Sequence, residues 1–102
     1  MSALIEQHAR ELTELCQSHH VKTLELFGSA SDGRFDERES DLDFLVEFQP
    51  MPPAAHSRDY FGLWFALEDL YGRKVDLVET AAVTNPYFLR EIRSSRRVLY
   101  AA

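Results

Sequence analysis

Ser40-Asp41-Leu42-Asp43-Phe44-Leu45-Val46-Glu47-Phe48 is the stretch that decides the fold. Leu42, Phe44, Val46 and Phe48 alternate with Asp41, Asp43, Leu45 and Glu47, the period of a strand with one apolar face. Side chains two apart on a strand share a face, so Asp41 and Asp43 project together, with no cation supplied by the strand itself. Two close carboxylates repel unless a cation lies between them. A hard divalent ion such as Mg2+ favours one or two carboxylates together with phosphate oxygens and water, so the pair reads as half of a metal site.

Upstream, Val21 to Phe27 reads as a strand ending at Gly28, with Leu24 and Leu26 on one face and Val21, Thr23, Glu25 and Phe27 on the other. The pattern does not fix which face meets the core. Ser29-Ala30-Ser31 could open a short helix whose first N–H groups, with the Ser29 hydroxyl, converge on an anion. Gly28 would let that anion approach the backbone closely. The Gly28, Gly33, Arg34 spacing imitates the phosphate loop of nucleotide hydrolases, but Arg34 stands where lysine is needed and Phe35 where a hydroxyl is needed. That reading is set aside.

Further upstream, Ser2 can cap an amphipathic helix with Leu4, Ile5, His8, Leu12, Leu15 and Cys16 on its apolar side. His8 is too far along the chain from His19 and His20 for an obvious metal triad. The latter two sit at a helix end, where complementing the C-terminal dipole is the expected role.

Downstream, Gln49 to Pro53 holds three prolines and reads as a loop. A helix is expected from Ser57 to about Tyr71, stopped by Gly72, with a core stripe of Tyr60, Leu63, Trp64, Leu67, Leu70 and Tyr71. Phe61 and Phe65 widen this stripe and are expected to be buried; a partner surface is the alternative. Lys74 to Glu79 is a third strand, and if Val75 and Leu77 face the core, Asp76 can join Asp41 and Asp43. Asn85-Pro86 opens a last helix with Phe88, Leu89 and Ile92 on its apolar side, while Arg96 to Tyr100 could continue it or form a strand. Arg90, Arg93, Arg96 and Arg97 make a basic cluster, either a solvated face or a contact for an acidic partner or a triphosphate.

With 102 residues, 45% of them hydrophobic, the chain can bury one core, so residues 1–102 are expected to form a single domain. A net charge of -6 argues against a general electrostatic grip on nucleic acid. The lone Cys16 excludes an internal disulfide and reads as a small core residue. No basic segment leads into an apolar run at the N-terminus and no membrane-length apolar stretch occurs, so a cytoplasmic location is expected.

Gly28-Ser29, Ser40-Asp41-Leu42-Asp43-Phe44-Leu45-Val46 and Gly72-Arg73-Lys74-Val75-Asp76-Leu77-Val78, taken together, resemble the polymerase-β-type nucleotidyltransferase superfamily. The short chain is similar to its minimal members. The resemblance implies an α+β fold of two layers, a small mixed sheet with helices packed on one face. It also implies a site in which Asp41, Asp43 and Asp76 hold two Mg2+ ions, and Gly28 with Ser29 bind the triphosphate of ATP. Where family members commonly carry arginine after Gly-Ser, this chain has Ala30, Ser31 and Asp32, so Arg34, Arg73 or Lys74 would supply the positive charge.

Minimal members are typically antitoxins paired with a helical HEPN-domain ribonuclease toxin. The implied reaction is transfer of AMP from ATP to a tyrosine hydroxyl of that toxin, within a hetero-oligomer. Two alternatives stand beside it: a catalytically weak or inactive module that neutralises the toxin by complex formation, and a small-molecule nucleotidyltransferase that needs a partner subunit to complete its acceptor pocket.

Overall fold

In the computed structural model, residues 3–27, 41–94 and 96–102 are described. The elements in chain order are α1 (Ala3–Gln7), α2 (Ala9–Ser18), β1 (Val21–Phe27), β2 (Leu42–Phe48), α3 (Pro53–Tyr71), β3 (Val75–Glu79), a 3-10 turn (Thr80–Ala82), α4 (Pro86–Ser94) and β4 (Arg97–Ala101). The strands form one mixed sheet in the order β3-β2-β1-β4. β1 pairs antiparallel with β2 and with β4, while β2 and β3 run parallel. This is the α+β arrangement implied by the resemblance.

The alternation in β2 holds on its apolar side. Leu42, Phe44 and Val46 are buried and join Leu24, Leu26, Val75 and Leu77 under α1, α2 and α3, whose contributions are Ile5, Leu12, Cys16, Leu63, Leu67 and Tyr71. Burial pushes the Cys16 thiol up to about 12, so it is an inert core group rather than a nucleophile. Val21 also enters the core, against the parity expected from Leu24 and Leu26, because the β1–β2 register shifts between Val21 and Thr23.

The second face of the sheet departs from the expected polar surface. Leu45 is 1% exposed although it shares a face with Asp43, and Leu45 and Ile92 are the buried apolar residues outside the main core cluster. β3 and β4 lie at opposite edges, and the chain that joins them carries α4, where Ile92 is buried. Just after α4, Arg96 donates from Nη1 to Oε1 of buried Glu25 at 2.8 Å, and Glu25 is the register partner of Leu45.

Other boundaries moved for local reasons. The N-terminal helix is broken at His8, whose ring packs edge-on against Tyr71 with centroids 5.6 Å apart. The third helix begins at Pro53 rather than Ser57, because proline fits the first turn of a helix, where no N–H partner is required. It ends as expected at Gly72, in the left-handed conformation with φ 63°. Asn85 caps α4 by accepting from the backbone N–H of Tyr87 at 2.9 Å. Arg97–Ala101 resolves into an edge strand rather than more helix.

Phe61 and Phe65, expected to be buried, are 52% and 67% exposed. They occupy the side of α3 away from the sheet, which Leu63 and Leu67 face.

Candidate active site

The parallel pairing of β2 with β3 sets the site. Asp43 stands opposite Asp76 in register, flanked by the pairs Leu42–Val75 and Phe44–Leu77. Because Leu42, Phe44, Val75 and Leu77 are all buried in the core, the two aspartates between them project from the second face. Asp41 lies two residues before Asp43 at the same end of the sheet and is exposed. The register thus brings Asp43 and Asp76 together, with Asp41 two residues before Asp43 in the chain.

Lys74 belongs to the same end. Its carbonyl accepts from the N–H of Leu42 at 3.2 Å, its side chain is exposed, and it precedes Asp76 by the two residues that keep a face. Gly28, Ser29 and Arg34 lie outside the described residues, as do Ala30, Ser31 and Asp32. β1 ends at Phe27, the register partner of Asp43.

The electrostatics single out Asp43. Burial raises its carboxyl above the usual range, and the neighbouring Asp76 and Asp41 charges raise it further. Among the described residues no group of three or more His, Cys, Asp or Glu side chains converges as a ready cage for a metal ion. Two carboxylates at adjacent register positions still suit Mg2+, which takes few protein ligands and fills its shell with phosphate oxygens and water.

One part of the site escaped the sequence reading. Tyr60 and Trp64, read only as core stripe, lie with Glu68 at i, i+4 and i+8 on α3, and the three grip the open edge of β3. Tyr60 Oη donates to the Leu77 carbonyl at 2.6 Å, Trp64 Nε1 to the Val75 carbonyl at 2.9 Å, and the Val75 N–H to Glu68 Oε2 at 3.1 Å. These bonds fall on both sides of Asp76 and replace the strand that an edge lacks. Burial pushes the Tyr60 hydroxyl up, with Glu79 and Asp76 adding to the effect, so it stays a donor. Trp64→Phe keeps the packing but orphans the Val75 carbonyl, and we expect a loss of about 1–3 kcal/mol in urea unfolding. An unchanged midpoint would mean that the grip is incidental.

The histidines have structural partners. His19 Nδ1 donates to the Leu15 carbonyl at 2.8 Å at the end of α2, as the C-terminal reading anticipated. His20, with φ 58°, pairs with buried Asp59 at 2.9 Å, a contact 39 residues apart that no local pattern announces.

A short mixed sheet that presents paired carboxylates at one end fits a nucleotidyl-transfer class of protein. Residues 5–99 match the nucleotidyltransferase domain model, and the chain belongs to that family. It is of the minimal, polymerase-β-like kind. MJ0128 of Methanocaldococcus jannaschii, named as a candidate protein adenylyltransferase, is 37% identical over 87% of this chain and 84% of its own length. MJ1379 of the same organism, similarly named, is 35% identical over the same shares.

Among solved structures, a candidate minimal nucleotidyltransferase superposes with a TM-score of 0.71 at 29% identity, covering 91% of this chain and 90% of that one. A toxin–antitoxin structure with AMP-PNP gives 0.70 at 21% identity, over 92% and 73%, which is a likeness of fold.

Proposed function

We propose that this protein transfers AMP from ATP to a tyrosine hydroxyl of a helical HEPN-domain toxin, acting as the antitoxin of the pair. The observation that carries the reading is the Asp43–Asp76 register pair, with Asp41 two residues away, at the sheet end where β1 runs into Gly28-Ser29. The family and the adenylyltransferase relatives support the reaction class. Solved complexes of similar fold, one with AMP-PNP and one with a tri-AMPylated HEPN toxin bound to its antitoxin, support ATP and a HEPN partner.

In this reading Asp41, Asp43 and Asp76 would hold Mg2+, with Gly28, Ser29, Arg34 and Lys74 toward the triphosphate. When bound, the ions supply positive charge against the α-phosphate and the departing pyrophosphate. The phenolic oxygen attacks the α-phosphorus, the bond to pyrophosphate breaks, and Asp76 accepts the phenolic proton. Lys74 offsets the charge of the β- and γ-phosphates. Asp43, the least exposed of the three, holds the middle of the site.

The test is intact-mass analysis of the adjacent gene's product after incubation with this protein, ATP and Mg2+. We expect added adenylyl groups, absent with the Asp41→Asn/Asp43→Asn double variant. Silencing of the partner by a stable complex, with no mass change and no need for the carboxylates, would select the inactive binding module instead. Modification of a small molecule alone would select the third reading.

A further inference from the structure

α2 and α3 approach each other at two places. Past the C-terminal end of α2 a Cβ on Gly62 would lie 3.1 Å from His19 Nε2, and before its N-terminal end His8 meets Tyr71. Between them lies a groove of about 430 Å³ with Leu15, Ala66 and Leu70 as its apolar part and Glu11, Glu14 and Asp69 as its charged part. No cationic side chain lines it among the described residues. Phe65, 67% exposed, lies one helical turn before Asp69 on the outward side of α3, whereas Phe61 packs edge-on against Tyr60.

We infer that this groove docks an amphipathic helix of a partner protein, with an apolar stripe toward Leu15, Ala66 and Leu70 and Lys or Arg toward the carboxylates. The shape is that of helix-in-groove recognition, two helices receiving a third. Charge decides the occupant. Glu11 and Glu14 are one helical turn apart, so basic residues one turn apart on the incoming helix meet both.

An exposed ring such as Phe65, one turn from Asp69 at the groove's edge, is the kind of anchor expected of an interface. The groove lies on the helical side of the sheet, while Asp43 and Asp76 project from the other side. A partner held there leaves the transfer site open. The inference thus rests on the proposed helical partner and assigns it a second contact, remote from the acceptor hydroxyl.

The first probe is a fluorescent synthetic helix of about 18 residues, long enough to fold on contact, with a leucine stripe flanked by arginines. A scrambled peptide of equal composition is the control. We expect binding by the wild type that weakens about tenfold or more in Glu14→Lys/Asp69→Lys and in Phe65→Ala, and that fades with salt. Asp41→Asn/Asp43→Asn should bind as the wild type does, so the result is independent of transfer activity.

Equal binding of the scrambled peptide, or undiminished binding by the groove variants, overturns the inference. So does self-association of the protein alone that disappears in Arg90→Glu/Arg93→Glu, which would make a second copy the occupant. With the adjacent gene's product as acceptor, the groove variants should raise KM and leave kcat unchanged; a fall in kcat alone would also overturn it.

Discussion

Asp43→Asn should abolish transfer and stabilise the metal-free protein at the same time. The loss of activity is expected to be at least ~100- to 1000-fold, the scale on which one preorganised electrostatic group counts in an active site. The gain in stability follows from the position of the carboxyl. It is half-buried and faces Asp76 in register, with Asp41 nearby, so its charged form is disfavoured in the folded chain and its pKa is raised.

The direction with pH is fixed by linkage. Below the ordinary aspartate range both folded and unfolded chains carry the proton, and the site costs nothing. As pH rises toward the raised folded value, the unfolded chain loses its proton first, and stability falls. At neutral pH the full penalty is present. Asparagine keeps the shape and removes the charge, so thermal unfolding at neutral pH should occur at higher temperature in the variant and the difference should shrink toward acid.

Mg2+ should raise the midpoint of the wild type and move the variant less, because binding to the folded state alone stabilises it. A variant that is inactive but no more stable would place Asp43 outside the repulsive cluster. A variant that is stable and still active would remove it from the chemistry.

This opposition between function and stability was half legible in the sequence. The alternation from Leu42 to Val46 placed the aspartates on one face, and the Val75–Leu77 pair did the same for Asp76. What the pattern could not supply was register, because pairing between strands 33 residues apart in sequence depends on the loop, the helix and the core between them. The burial of Leu45 was not legible for a related reason. A two-residue period reports the face of a residue but not what covers that face.

Phe61 and Phe65 were misread because hydrophobicity was equated with burial, although a helix on the surface of a sheet has room for only one stripe against it. The grip of Tyr60, Trp64 and Glu68 on β3 was visible as a spacing. It was hidden as chemistry, since a periodicity count weighs the apolar body of tyrosine and tryptophan and ignores the polar tip.

Phe44→Ala tests the same frame from its interior. Phe44 is fully buried on the middle stretch of β2, stacks on Tyr71 at 6.1 Å with ring planes 26° apart, and pairs in register with Leu26 on one side and Leu77 on the other. Truncating it removes a ring whose neighbours are held by two strands and a helix, so the cavity cannot close. The expected cost is about 3–5 kcal/mol, a large share of the ~5–15 kcal/mol that holds a typical domain together.

Urea unfolding should show a sharply lowered midpoint, with Phe44→Leu losing less because it refills part of the volume. A cost below ~1 kcal/mol, as for a surface position, would mean that β2 does not pass through the core here. The contrast with Asp43→Asn is the useful part. Phe44 touches no reacting atom, so Phe44→Ala should recover transfer at temperatures where it remains folded, whereas Asp43→Asn should stay inactive at every temperature. The adjacent side chains of one strand thus separate two roles, one face holding the frame and the other spending part of that stability on a cluster of like charges.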